Sequence, residues 1–248
     1  MPELPALDIL DTPPALVSET FVSLQGEGTL TGVPSWFCRL SGCNLRCRWC
    51  DTPYASWSPE GDKRTVADLV DECARTGVKH AVLTGGEPMI FPQLAPLTHA
   101  LARAGVHITI ETAGTVDRDD IAFDLMSLSP KLANSTPTGD PRDPAGAWAE
   151  RHEQRRLNLP VLRSLIDRSA RAAKQFKFVV TGPDDLAEID ELLSALDGVD
   201  PGEVFLMSEG VETPDPASVK WVVDLCLDRG WRYGHRLHIE LFGDSRGT

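Results

Sequence analysis

Short apolar runs alternate with amphipathic stretches along most of the chain, and this rhythm predicts strands and helices in turn. Ala15–Leu24 alternates apolar and polar positions as a strand does, and Ser35–Leu40 is a second apolar run. Thr65-Val-Ala-Asp68 has the form of a capping box, so a helix should follow it and stop at Gly77. His80–Thr84 reads as a short buried strand ending on Gly85-Gly86, Gln93–Ala104 as a helix closed by Gly105, and Val106–Glu111 as a strand. Further strands are expected at Phe123–Ser129, Gln175–Val180 and Glu203–Met207, and helices at Asp184–Leu196 and Ala217–Arg229. Arg236–Phe242 is the last strand-like run.

Strands alternating with helices pair in parallel through right-handed crossovers. The expected fold is therefore α/β. Six or so units make an incomplete (β/α)6-type barrel, a partial TIM barrel, with its chemistry at the C-terminal ends of the strands. Leu132–Asn158 breaks the rhythm; rich in Pro, Gly, Asp and Arg, it reads as an insertion or mobile loop. No internal repeat or second boundary is visible, so residues 1–248 read as one domain with a flexible start over 1–14.

Composition narrows the setting. The chain has 248 residues, 42% hydrophobic and 25% charged, as soluble globular proteins do. No apolar run approaches the roughly 20 residues of a membrane span. Met1–Pro14 has neither a basic n-region nor an apolar h-region, so it is not a signal peptide and a cytoplasmic location is expected. A net charge of −13 argues against binding nucleic acid through its phosphates, while leaving room for a local basic pocket.

Six cysteines fall at 38, 43, 47, 50, 73 and 226, four of them within 13 positions. In a reducing compartment such crowding points to metal ligation rather than a disulfide framework. Cys43, Cys47 and Cys50 form a C-x3-C-x2-C loop, whereas Cys38, Cys73 and Cys226 lie in predicted strands or helices and read as buried apolar side chains. Three thiolates can wrap one centre and leave a coordination position without a protein ligand. A structural zinc site closes with four ligands and ferredoxin clusters use four cysteines. A three-cysteine 4Fe–4S cluster keeps one iron free for a small molecule. The competing readings are a zinc site completed by Cys38 or His80, and three unligated core cysteines.

This spacing, in a loop after the first barrel strand, resembles the radical S-adenosylmethionine superfamily. The resemblance implies that S-adenosylmethionine chelates the unique iron and is cleaved reductively to a 5′-deoxyadenosyl radical, with Trp49, Cys50 and Asp51 bordering the cofactor. Thr84-Gly85-Gly86-Glu87-Pro88 matches the superfamily's GGEP motif: the glycines permit close backbone approach and Glu87 offers an acceptor for an ammonium group. Alone, it could be a mere turn. Glu111-Thr112, Ser129-Pro130-Lys131 and Met207-Ser208-Glu209-Gly210 end later strands, and jointly they suit a cofactor with an ammonium, a carboxylate, a ribose and an adenine.

Upstream of the loop, Leu24-Gln25-Gly26-Glu27-Gly28 is followed by Arg39 and, four residues later, by the first cysteine. With Cys50-Asp51-Thr52, Thr84 and the late Leu237-His238, this closely resembles the 7-carboxy-7-deazaguanine synthase family over nearly the whole chain. The resemblance implies a lyase acting on 6-carboxy-5,6,7,8-tetrahydropterin, with hydrogen removal at C6, ring contraction, loss of ammonia and return of the hydrogen to regenerate the cofactor. The product would feed 7-deazapurine pathways such as queuosine synthesis. It further implies Mg²⁺ at Thr52 and a substrate site of Leu24, Gln25, Gly26, Glu27, Arg39, Thr84 and His238. An electron donor such as flavodoxin or ferredoxin and a homodimer are also implied.

The residue chemistry fits on its own terms. Glu27 and the Gln25–Gly26 backbone can pair with the donor-rich edge of an aminopyrimidinone, Arg39 can fork onto a carboxylate, and the Thr52 hydroxyl suits a hard ion. Against these stand a flexible hairpin at 25–28, a surface Arg39, a Thr52 that only caps a turn, and a His238 satisfied on a core strand. Two departures from the family are the length of 132–158 and Ile239–Thr248, which lacks the short tail that closes the pocket in some members. A glycyl-radical-activating enzyme acting on a protein shares the cysteine loop, but Gln25–Gly28 and Arg39 argue against it. A non-catalytic iron–sulfur or zinc protein is the other alternative.

Overall fold

The computed structural model describes residues 12–248, so most of the flexible start expected at 1–14 lies outside the described residues. β1 (Ala15–Leu24) forms an antiparallel hairpin with β2 (Pro34–Leu40), and β3 (Asp62–Arg64) pairs antiparallel along its outer side. From β2 onward every pairing is parallel, through β4 (His80–Gly85), β5 (His107–Thr112), β6 (Leu125–Leu128), β7 (Ala173–Val180), β8 (Val204–Ser208) and β9 (Arg232–Tyr233). The order β3-β1-β2-β4-β5-β6-β7-β8-β9 does not close on itself among the described residues, as an incomplete barrel requires. Parallel strands covered on both faces carry continuous apolar runs; Ala81, Val82 and Leu83 of β4 and all of β6 are buried.

The helices start and stop where their caps dictate. Thr65 and Asp68 close a reciprocal capping box on α1 (Val66–Thr76), and Gly77 ends it in the left-handed conformation at φ 72°. Val66, Leu69 and Cys73 form its buried stripe. α2 (Leu94–Arg103), α5 (Asp185–Ala195) and α6 (Pro216–Arg229) follow β4, β7 and β8. The crossover from β5 to β6 contains no helix, so one of the expected β/α units is a bare loop. No helix among the described residues is long and apolar enough to cross a membrane.

Two segments differ from the sequence expectation. Leu132–Asn158 carries a 3-10 turn at Ala133–Ser135 and α3 (Ala147–Arg155), ahead of α4 (Leu159–Arg168). Buried Asp143 accepts the backbone N–H groups of Trp148 and Ala149 at 2.8 and 2.9 Å and so starts α3. Arg236–Phe242 is not a strand: Leu237–Phe242 forms the short helix α7, and the last sheet position belongs to β9. A short apolar run fits either period. Here only Ile239 is buried, while Leu241 and Phe242 are exposed, so no two-sided strand environment exists for it.

Candidate active site

The end of β4 and the cysteine loop are docked by backbone contacts that tolerate no side chain. Gly86 N donates to Leu40 O at 3.1 Å and Glu87 N to Gly42 O at 2.9 Å. A Cβ on Gly86 would overlap Gly42 O, Ala55 O and the Cys43 side chain. The loop itself is braced from the 132–158 segment. Arg46 N donates to His152 Nδ1 at 3.1 Å and Arg48 N to Ser135 O at 2.8 Å. Ser135 Oγ gives its proton to Leu132 O, so the 2.8 Å contact from His152 Nε2 is a donation to Ser135. That fixes His152 as the neutral tautomer whose Nδ1 is free to accept. Burial, reinforced by the Arg156 charge, lowers its pKa to about 4. Arg46 stacks over Trp148 at 4.1 Å and Arg142 over Trp57 at 4.2 Å.

Cys43, Cys47 and Cys50 are free thiols on the wall of one cavity of about 290 Å³. Burial pushes the Cys43 thiol up to about 12, with the Glu87 charge adding to it, and burial raises Cys47 as well. Metal binding would displace these protons. No three His, Cys, Asp or Glu side chains among the described residues converge closely enough to hold a single ion. Three thiols on one cavity can serve a three-cysteine cluster that leaves one iron without a protein ligand. Cys38, Cys73 and Cys226 are buried core side chains.

The same cavity is lined by Trp49, Asp51, Thr52, Thr84, Gly86, Glu111, Ser129, Lys131 and Met207. Trp49 Nε1 donates to Asn134 Oδ1 at 3.1 Å, and Lys131 Nζ, donating to Ser129 Oγ at 2.7 Å, lies 5.4 Å from the Trp49 ring centre. The Thr52 hydroxyl makes no capping bond to the 3-10 turn Pro53–Ala55, which removes the turn-capping alternative. Five expected contacts are not on this wall: Glu87, Pro130, Ser208, Glu209 and Gly210. Glu87 is fully buried, and its two oxygens accept from Met89 N, Thr112 Oγ1 and Ala113 N at 3.0, 2.8 and 2.8 Å. Its carboxylate stitches the GGEP turn to the end of β5, which leaves the backbone of Gly86 as the motif's exposed acceptor. Ser208 and Glu209 line a small neighbouring cavity, and Gly210 O accepts from Arg236.

The opposite end of the cavity is built from charge. Gly26 packs under the His238 ring, which a Cβ would overlap, and Leu237 N donates to Gly26 O at 2.9 Å. Gly28, at φ 76°, lies against Gln175, whose Oε1 accepts from Thr29 N and Oγ1 at 2.8 and 2.6 Å. The 25–28 segment is thus pinned and is no flexible hairpin. Glu27 pairs with Lys177 at 2.9 Å and with Arg236 at 3.3 Å. Burial would raise the Glu27 pKa, but the charges of Lys177, Arg236 and His238 outweigh it and hold the carboxyl well below the usual range. Arg39 is half-buried on the cavity wall, its Nε donating to Glu19 Oε1 at 2.7 Å; its two terminal nitrogens have no protein partner among the described residues. His238 sits on α7, not on a strand, and burial lowers its pKa.

Sequence reasoning missed Lys177 and Arg236, the two cations that face Glu27, and also the rim. Residues 243–248 line the cavity, with Arg246 over the Tyr54 ring at 3.7 Å and paired with Glu60 at 2.6 Å, so the C-terminal segment forms part of the rim. The available signal for Lys177 was Gln175 and Lys177 alternating with Phe176 and Phe178 on one buried strand.

Comparison with known proteins agrees with this geometry. The family described as the Radical SAM superfamily matches residues 39–143. A 7-carboxy-7-deazaguanine synthase of Rhodopirellula baltica is 49% identical over 234 residues, covering 94% of this chain and 88% of that one. One of Halobacterium salinarum is 42% identical over 247 residues, covering 96% and 94%. The crystal structure of QueE from Escherichia coli superposes with a TM-score of 0.67 at 28% identity, covering 91% of this chain and 95% of that one. At these identities and coverages the chain belongs to the 7-carboxy-7-deazaguanine synthase family of radical S-adenosylmethionine enzymes.

Proposed function

We propose that this chain converts 6-carboxy-5,6,7,8-tetrahydropterin to 7-carboxy-7-deazaguanine with loss of ammonia. The observation that carries the proposal is the meeting of Cys43, Cys47 and Cys50 with Glu27, Arg39 and His238 on one cavity wall. When bound, the 4Fe–4S cluster and S-adenosylmethionine supply a 5′-deoxyadenosyl radical able to take and return a hydrogen. Cys43, Cys47 and Cys50 would hold the cluster and leave one iron to the cofactor. The Gly86 backbone would accept the cofactor ammonium, Lys131 would serve its carboxylate, Glu111 its ribose, and Trp49 and Met207 its apolar surfaces.

On the substrate side, Glu27 stays ionised and accepts from the N–H groups of the aminopyrimidinone, with Leu24, Gln25, Gly26 and Thr84 bordering the ring. The unpartnered terminal nitrogens of Arg39 fork onto the substrate carboxylate. Thr52 would offer one oxygen to Mg²⁺, a hard ion that prefers oxygen ligands. His238, whose pKa burial lowers, offers one ring nitrogen for a hydrogen bond to the substrate. The 243–248 rim borders the cavity. An electron donor such as flavodoxin or ferredoxin, a single-domain homodimer and a cytoplasmic location belong to the same proposal.

Reduced, anaerobically reconstituted protein supplied with S-adenosylmethionine and the pterin is expected to release 7-carboxy-7-deazaguanine, identified by mass spectrometry. Formation of 5′-deoxyadenosine with no deazapurine under any condition would overturn the assignment.

A further inference from the structure

A lysine inside a parallel strand is a costly placement, and Lys177 is only 4% exposed. It sits on the cavity face of β7, and its Nζ donates to Glu27 Oε2 at 2.9 Å and to Glu111 Oε2 at 2.7 Å. Those acids come from different parts of the fold, Glu27 from the loop after β1 and Glu111 from β5. Burial alone would drive Lys177 toward its neutral form; the two carboxylates outweigh burial and keep it charged. Arg236 gives Glu27 a second cation, but Glu111 has no other ion-pair partner among the described residues. An ammonium carries three N–H donors. Two are used, and the third has no protein partner among the described residues, on a side chain that lines the cavity.

We propose that Lys177 is a positioning residue that couples the substrate subsite to the cofactor subsite. By gripping Glu27 and Glu111 with one ammonium group, it fixes the carboxylate that reads the substrate ring relative to the one that faces the cofactor. Radical formation is thereby confined to the geometry in which the substrate hydrogen is within reach. The inference rests on the roles given above to Glu27 and Glu111. A purely structural lysine would lower stability without altering how cofactor cleavage is partitioned.

The test compares wild type, Lys177→Met and Lys177→Arg, with Lys177→Gln read in place of Met should the Met variant not fold. Three quantities are measured: binding of 6-carboxypterin to cluster-free protein by its fluorescence, binding of S-adenosylmethionine to reconstituted protein, and the ratio of 5′-deoxyadenosine to deazaguanine in turnover. Lys177→Met is expected to weaken both ligands and to raise the ratio, each by about tenfold, as loss of a charge-assisted hydrogen bond would. Lys177→Arg is expected to stay within about threefold of wild type on all three, since it keeps the charge and two donors. Iron content should be equal throughout. A wild type that turns over and a Lys177→Met that binds both ligands and stays as tightly coupled would overturn the inference alone. A wild type that binds S-adenosylmethionine but no pterin would overturn the proposed function, and the inference with it.

Discussion

The two ends of the cavity are held by different physical means. At the cysteine end the walls are joined by backbone hydrogen bonds and neutral groups: Glu87 N to Gly42 O, Arg46 N to a neutral His152, Arg48 N to Ser135 O. At the far end the walls are joined by charge, with Glu27 between Lys177 and Arg236, and Arg39 on Glu19. Backbone bonds give a rigid frame for a group that must not move. Ionised side chains give donors and acceptors that discriminate between ligands, since a buried charge left without its partner is expensive. On the proposed function, the first end serves radical formation and the second substrate choice, with Lys177 between them.

The largest effect should follow Cys50→Ala. Iron bound after anaerobic reconstitution is expected to fall to a small fraction of wild type and reductive cleavage to vanish; a variant that keeps its iron would remove the cysteine end from the account. Next in size are Glu27→Gln and Arg39→Ala, expected to lower pterin affinity by about 1.5–3 kcal/mol each while iron content stays at the wild-type level. Unaltered affinity in either would break the assignment of that side chain.

Smaller again is the brace on the loop. His152→Ala strands the buried Arg46 N–H and should cost about 1–3 kcal/mol of stability, read as a drop in Tm of the cluster-free protein. Because the His152 pKa is lowered from 6.5 to about 4, its contribution is complete above pH 6.5 and is lost as the pH falls toward 4. The wild-type and His152→Ala melting curves should therefore converge at acid pH, and a gap that widens there would contradict the neutral-histidine brace. The smallest change should come from Thr52→Ala, which ought to weaken the response of turnover to added Mg²⁺ by a few-fold with the cluster intact. An identical Mg²⁺ titration would discredit that ligand.

The same division explains what could be read from the sequence. The cysteine end is local: the thiols, Gly85-Gly86 and the strand that precedes them lie in short windows, so spacing alone brings them together. The expected strand at Ala15–Leu24 and the capping box at Thr65 were legible for the same reason. The charged end is assembled from the loop after β1, from β2, β5, β7 and the approach to α7, and which of these meet depends on strand order rather than on any window. Lys177 and Arg236 therefore stayed hidden, although a lysine alternating with buried phenylalanines carried a signal. Glu87 shows the converse, because a correct motif does not reveal which way its side chain turns; here three donors claim it from inside. The period of Arg236–Phe242 misled because seven residues are too few to separate a helix from a strand.

The separability of the two ends is tested most directly by a Glu27→Ala, Arg39→Ala double variant, reconstituted and reduced with S-adenosylmethionine and the pterin, with 5′-deoxyadenosine and deazaguanine counted in the same reaction. The expected result is continued formation of 5′-deoxyadenosine with the deazaguanine gone. Loss of both in equal proportion, or retention of both, would contradict the division of the site into a radical-forming end and a substrate-choosing end.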